Sequence, residues 1–107
     1  MTSADKLGKQ IDDLWQKHLP LMRSRIETIQ RAVDAIRNNR LTQDGRTDAA
    51  RDAHKLAGSL GTFGLRSGSD AATELERLLL AENSVDSVLI DKILPLFAEL
   101  RNQVESK

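Results

Sequence analysis

His54 is the side chain of this sequence best suited to chemistry. If the surrounding segment is helical, its neighbours towards the C-terminus are Ala57 and Gly58, with Gly61 one turn further. Each glycine inside a helix costs about 1 kcal/mol relative to alanine, so two of them need a reason. Small residues beside the imidazole would let a partner surface approach it. An ordinary half-exposed histidine, with glycines that serve helix packing, is the alternative.

Other kinds of functional site have little support in the sequence. Cysteine is absent, which excludes disulfides, thiolate metal sites and thiol nucleophiles. His18 has no second ligand at helical spacing, so we expect no metal site, and no glycine-rich nucleotide loop is present. The net charge is zero, from 16 basic and 16 acidic residues, and predicts neither a nucleic-acid nor a membrane partner. The sequence lacks an apolar run long enough to span a membrane and a signal-peptide core, so we expect a cytoplasmic protein.

The elements that must position His54 are helices. A chain of 107 residues predicts one domain, over residues 1–107. Only 3% of the residues are aromatic, and because strands favour aromatic residues, this composition favours helices. Five helical segments are expected: residues 4–18, a helix from Pro20 to about residue 39, a helix from Thr47 or Asp48 to Gly64, and helices capped by Ser67 and Asn83. A polar turn over residues 42–46 precedes the third, and Pro95 should bend the last. The fold class is therefore all-α, an antiparallel four-helix bundle with a short extra N-terminal helix.

Apolar residues at alternating spacings of four and three predict the buried face of each segment. In chain order these faces are Leu7, Ile11, Leu14 and Trp15; Met22, Ile26, Ile29, Val33 and Ile36; Ala49, Ala53, Leu56, Leu60 and Phe63; Ala71, Ala72, Leu75, Leu78 and Leu79; and Val85, Leu89, Ile93, Leu96 and Leu100.

Residues 53–64, with the sequence AHKLAGSLGTFG, resemble the signature of histidine-containing phosphotransfer (HPt) domains. The last four of them are especially similar to the phosphoryl-accepting domain of chemotaxis-type kinases. The positions that match the family pattern are His54, Leu56, Gly58, Ser59 and Gly64. Glu76 stands where the family carries an amide or carboxylate close to the histidine. Ala57 departs from the pattern, because the family commonly has a lysine there that is thought to help hold the phosphoryl group.

The resemblance implies roles for individual residues. His54 would be phosphorylated, and Glu76 would orient its ring, unless Glu76 pairs with Arg77 or Lys55 instead. Arg51 and Lys55 would supply positive charge, if they are more than solvated surface cations, and Ser59 would support the site. Space for docking would be cleared by Ala57, Gly58 and Gly61, and Leu65 would be a docking contact at the rim. Gly64 would be structural, as the residue that ends the helix.

The function that the resemblance implies is transfer in a two-component phosphorelay. His54 would accept a phosphoryl group and exchange it with the aspartate of a receiver domain. The chain would be a carrier without kinase or phosphatase activity of its own and without a cofactor, because Mg²⁺ would belong to the receiver. Expected partners are a response-regulator receiver, a sensor histidine kinase or both, and the chain itself is expected to be monomeric. Two alternatives stay open: a domain labelled by an ATP-binding kinase domain, and a structural helical adaptor that is never phosphorylated.

Overall fold

The structure of the protein, a computed structural model, describes residues 3–81 and 86–106. These residues form four helices and no strand: α1 (Ser3–Arg37), α2 (Gln43–Thr62), α3 (Arg66–Leu80) and α4 (Asp86–Glu105). The predicted all-α fold class is therefore confirmed.

The four helices form a closed ring in which α1 and α3 each pack against both α2 and α4. Contacts between distant residues show that neighbouring helices are antiparallel. Arg23 near the middle of α1 meets Glu105 at the end of α4, and Gln30, two turns later on α1, meets Arg101, one turn earlier on α4. The apolar faces meet along the axis of the ring. Its fully buried large side chains are Trp15, Met22, Ile29, Val33, Ile36, Leu56, Leu60, Leu75, Leu79, Leu89, Ile93 and Leu100.

The first two predicted segments are one continuous helix, so the prediction of a separate N-terminal helix that ends before Pro20 is wrong. Pro20 lies inside α1 and is exposed. Proline removes one backbone donor, but here the carbonyl that loses its partner belongs to Gln16, which also faces solvent. The buried face runs past this point without a break, because Trp15 and Met22 lie one heptad apart in the same core.

The N-terminal part of α1 extends beyond the bundle. Its 35 residues span about 52 Å, whereas the 20 residues of α2 span about 30 Å. The molecule accordingly measures 55 Å in its longest direction and 20 and 18 Å in the others. The end of α2 meets α1 where Phe63 packs edge-on against Trp15, with ring centroids 5.1 Å apart. Leu7, Ile11 and Leu14 lie before this contact and are exposed, which corrects the prediction that they are core residues.

Helix α2 begins earlier than predicted. The side chain of Thr42 accepts a hydrogen bond from the backbone N–H of Gly45 and caps the helix, so most of the predicted polar turn belongs to its first turns. At the other end the prediction is confirmed, because Gly64 has a φ of +75° and stops the helix in the left-handed conformation.

The predicted caps of the last two helices differ from the structure or lie outside it. Ser67 is already inside α3, which begins at Arg66 after Leu65 in the cap position, and no side chain caps it. Asn83 and Val85 lie outside the described residues. Pro95 lies within the continuous helix α4. None of the helices described is both long and apolar enough to cross a membrane.

Candidate functional site

The candidate site lies where α2 packs against α3. Small residues line this contact: the side chain of Ser69 on α3 donates a hydrogen bond of 2.8 Å to the carbonyl of Ala57 on α2. A methyl group at Gly61 would lie 3.4 Å from the same Ser69 hydroxyl, in ordinary van der Waals contact. The two antiparallel helices therefore approach closely just beyond His54, and a residue two turns along α3 from Ser69 comes beside the imidazole.

That residue is Glu76. Nδ1 of His54 lies 3.1 Å from each oxygen of the Glu76 carboxylate. The His54 side chain is 72% exposed, whereas that of Glu76 is 26% exposed. A neutral ring that donates its Nδ1–H to this carboxylate keeps a lone pair on Nε2. Within the part of the chain that the structure describes, the recorded polar contact of the ring is at Nδ1, so Nε2 is available to a partner.

Among the residues that the structure describes, Glu76 pairs with His54 and forms no ion pair with Arg77 or Lys55. Arg77 pairs with Glu74, one turn earlier on α3, and the hydrogen bond from Arg77 lowers the pKa of the Glu74 carboxyl below its ordinary value. Lys55 is exposed on α2. The carboxylate of Glu76 is thus directed to the imidazole, as an orienting group would be.

The positively charged candidates are close to His54 in sequence but are not bonded to it. Arg51 lies one turn before His54 and donates to the Asp48 carboxylate at 3.2 Å, with both side chains more than half exposed. Ser59, five residues after His54, lies about 140° further round the helix and faces α1. The structure therefore brings His54 and Glu76 together, and leaves Arg51 and Lys55 on the rim and Ser59 on another side of α2.

The proposed docking residues differ in exposure. Gly58 is exposed, and a methyl group placed on it would meet no atom within 4 Å, so the surface beside His54 is open. Ala57 is half-buried and packs against the core, as does Leu65. Gly61 is exposed, but a methyl group on it would contact Ser69 of α3. The open surface is therefore formed mainly by Gly58, and Leu65 offers only part of its side chain to a partner.

A comparison with protein families finds one family whose match includes both His54 and Glu76. The model of the Hpt domain family matches residues 13–106. The chain belongs to the Hpt domain family. No curated protein and no solved structure matches it. Hpt domains are phosphocarriers that take part in histidine phosphotransfer in phosphorelays, where they interact with receiver domains and histidine kinases. The family expected from residues 53–76 is thus confirmed over almost the whole chain.

Two features of this Hpt domain are not apparent from sequence reasoning. Gly68 on α3 is buried at the crossing with α2 and α4, although it shows only as one more glycine after the motif. A groove of about 370 Å³, called here the α1–α2 groove, opens beside the end of α2. It is lined by Ile11, Leu14, His18, Ser59, Thr62 and Phe63. The spacing of Leu7, Ile11 and Leu14 in the sequence indicates an apolar face at this groove, although that face is predicted above to be part of the core.

The described residues contain no group of three side chains that could hold a metal ion. His18 instead packs against Phe63, with ring centroids 6.0 Å apart. That Mg²⁺ is needed only on a receiver stays a prediction.

Proposed function

We propose that this Hpt domain carries the phosphoryl group on Nε2 of His54 and exchanges it with the aspartate of a receiver domain. The observation that supports the proposal is the pairing of His54 with Glu76: one ring nitrogen is held by a carboxylate while the rest of the ring is exposed. A ring held in this way is oriented before the partner arrives, which lowers the cost of reaching the reactive geometry.

The transfer step moves the phosphoryl group from an aspartate oxygen of the receiver to Nε2 of His54. The Nε2 lone pair attacks the phosphorus of the receiver's phosphoaspartate, a nitrogen–phosphorus bond forms, and the bond from phosphorus to the aspartate oxygen breaks. The aspartate leaves as a carboxylate. The imidazole keeps its Nδ1 proton and gains positive charge, which the Glu76 carboxylate stabilises through the hydrogen bond. The reverse sequence returns the phosphoryl group to the receiver, whose bound Mg²⁺ would neutralise charge on the phosphoryl oxygens.

Glu76 acts here as a positioning residue. Glu76→Gln keeps an acceptor for the Nδ1–H but loses the negative charge, whereas Glu76→Ala loses both. We expect transfer to slow roughly tenfold in Glu76→Ala and less in Glu76→Gln. If Glu76 only stabilised the fold, the two variants would lose transfer only as far as they lose folded protein. Circular dichroism on the same samples measures that fraction, so unchanged transfer in a folded Glu76→Ala would contradict the positioning role.

The function is tested by mixing the chain with a phosphorylated receiver domain and following label on each protein. The wild type and His18→Gln should become labelled, because His18 is the chain's other histidine and lies outside the site. His54→Gln should remain unlabelled, and the label should be lost in acid but kept in base, as expected for a phosphorus–nitrogen bond in this family. Label on His54→Gln, or none on the wild type with the organism's receivers and kinases, would leave the structural adaptor as the better interpretation.

A kinase-linked role is the second candidate, and residues 61–64 favour it because of their similarity to chemotaxis-type kinases. The same His54 would then be labelled by an ATP-binding kinase domain. Incubation of the chain with histidine kinases and labelled ATP, without a receiver, separates this role from relay transfer, since a pure relay carrier stays unlabelled.

A further inference from the structure

Small residues fill the part of the α2–α3 contact that lies next to the imidazole. On α2 they are Ala57, whose carbonyl accepts the hydrogen bond from Ser69, and Gly61, beside the same hydroxyl. On α3 the next residue of this stripe is Ala72, which is fully buried. Large side chains resist sliding of two helices, because the ridges of one helix fit the grooves of the other. Small side chains form shallower ridges, so a directional bond has more influence on the register here.

We propose that Ser69 is a positioning residue for phosphotransfer. Its hydrogen bond to the carbonyl of Ala57 sets the register of α3 on α2 and thereby holds Glu76 at the ring of His54. Ser69 does not touch the reacting atoms and acts through Glu76. The consequence for transfer rests on the function proposed above, whereas the effect on the ring can be measured without a partner.

The spacing of these residues connects the two contacts. Ser69 and Glu76 are seven residues apart, so they point in nearly the same direction from α3 and lie about 10.5 Å apart along its axis. His54 and Ala57 are three residues apart on α2, a rise of about 4.5 Å. Side chains lean towards the N-terminus of their own helix, so in this antiparallel pair the imidazole and the carboxylate lean towards each other and span the difference.

The contact at the ring tolerates little movement of α3. Nδ1 of His54 lies 3.1 Å from the carboxylate oxygens of Glu76. A hydrogen bond is lost when donor and acceptor are separated by about 3.5 Å or more. A slip of α3 by one residue corresponds to about 1.5 Å, which is enough to break the contact. The bond from Ser69 therefore needs to hold the register to well within one residue.

Other polar contacts between α2 and α3 are less restrictive. The backbone N–H of Leu65 donates to the carbonyl of Leu60 at 2.9 Å, which fixes the turn but leaves α3 free to tilt beyond it. At the far end of α3, Arg46 donates to the carbonyls of Leu79 and Ala81 through a long side chain that can follow a shift. Ser69 reaches α2 through a single rotatable bond, so its contact constrains the backbone of α3 directly.

Nitrogen-15 NMR of the His54 ring tests the positioning in the chain alone. In the wild type the neutral ring should carry its proton on Nδ1, because Glu76 accepts it. Glu76→Ala should release the ring to a mixture of both tautomers, and Ser69→Ala should shift it in the same direction. Thr73→Ala is the matched control, because the Thr73 hydroxyl bonds to the Ser69 carbonyl within α3 and does not cross to α2. It should keep the wild-type signals.

Phosphotransfer from a phosphorylated receiver tests whether Ser69 acts through Glu76. Ser69→Ala should slow transfer roughly threefold, less than Glu76→Ala does, because it displaces the carboxylate without removing it. In a Glu76→Ala background, Ser69→Ala should cause no further loss, since the group that it positions is absent. Equal losses in both backgrounds would show that Ser69 acts on stability or docking, and the proposal would be overturned.

The two measurements also separate this proposal from the proposed function. If the wild type takes no label from any receiver, phosphotransfer fails as the function, and the NMR comparison still decides whether Ser69 holds Glu76 at the ring of His54. If the wild type transfers normally and the folded Ser69→Ala protein keeps both the wild-type tautomer and the wild-type rate, the role of Ser69 is refuted and the function stands.

Discussion

A methyl group should have opposite effects on stability at Gly58 and at Gly68. At Gly58 the added Cβ meets no atom within 4 Å, so alanine costs no packing and gains helix propensity. At Gly68 the added Cβ would lie 3.0 Å from Cδ1 of Leu60 and 3.0 Å from Cβ of Gln103. Neither neighbour can move easily, because Leu60 is fully buried in the core and a Cβ atom is fixed to its own backbone.

The magnitudes follow from these contacts. Gly58→Ala should raise the free energy of unfolding by about 0.5–1 kcal/mol. Gly68→Ala gains the same helix propensity but forces α3 away from α2 and α4, and such overpacking costs about 1–3 kcal/mol. The net change at Gly68 is a loss of roughly 1 kcal/mol, so the two variants should differ by about 2 kcal/mol. A difference of that size corresponds to roughly 8–16 °C in Tm for a domain of this length.

Thermal unfolding followed by circular dichroism measures both variants, and urea unfolding at 25 °C gives the free energies directly. The m-value should be unchanged if both proteins unfold from the same compact state. A Gly68→Ala protein as stable as Gly58→Ala would show that α3 can shift at no cost, and the interpretation of Gly68 as a packing residue would be wrong. A destabilised Gly58→Ala would show that something covers this position.

Three further outcomes are expected. Gly58→Leu should slow transfer to or from His54 roughly 10–100-fold while the helix stays folded, because the side chain blocks the approach of the partner; normal transfer would mean that the partner does not approach there. Arg51→Glu should slow association with a receiver mainly at low salt, and Arg37→Glu, with the same charge change at the end of α1, should not; equal effects would show a response to net charge alone. Arg46→Ala should lower the unfolding free energy by about 1–2 kcal/mol, because its guanidinium donates to two carbonyls at the end of α3, and urea unfolding checks this.

Much of the fold was predictable because the apolar spacing is regular. The second predicted face, from Met22 to Ile36, is buried at every one of its five positions. Gly64 was also recognisable, since a glycine after a periodic segment marks the residue that needs a positive φ. The family followed from the residues around His54, where a histidine and small residues occur together in a fixed order.

The errors arose where local signals compete with tertiary packing. Pro20 is a sound local reason to begin a helix, but the core contacts of Trp15 on its N-terminal side favour one continuous helix. Ser67 is a sound cap residue, but α3 begins two residues earlier, at Arg66, with Leu65 in the cap position. Leu7 and Ile11 have the spacing of core residues, and the spacing alone does not say which surface covers them. The tight position of Gly68 depends on the crossing of three helices, which a single segment does not reveal.

The site shows why the sequence around His54 is built from small residues on two sides of α2. Ala57 and Gly61 face α3 and let Ser69 bond the α2 backbone, so they set the distance between the helices that carry His54 and Glu76. Gly58 faces open space and keeps the partner's path clear. One group of small residues therefore fixes the orientation of the ring through packing, whereas Gly58 governs access to it. The two effects can be separated, because a change that moves α3 should alter the His54–Glu76 contact and stability together, and a change at Gly58 should alter access alone.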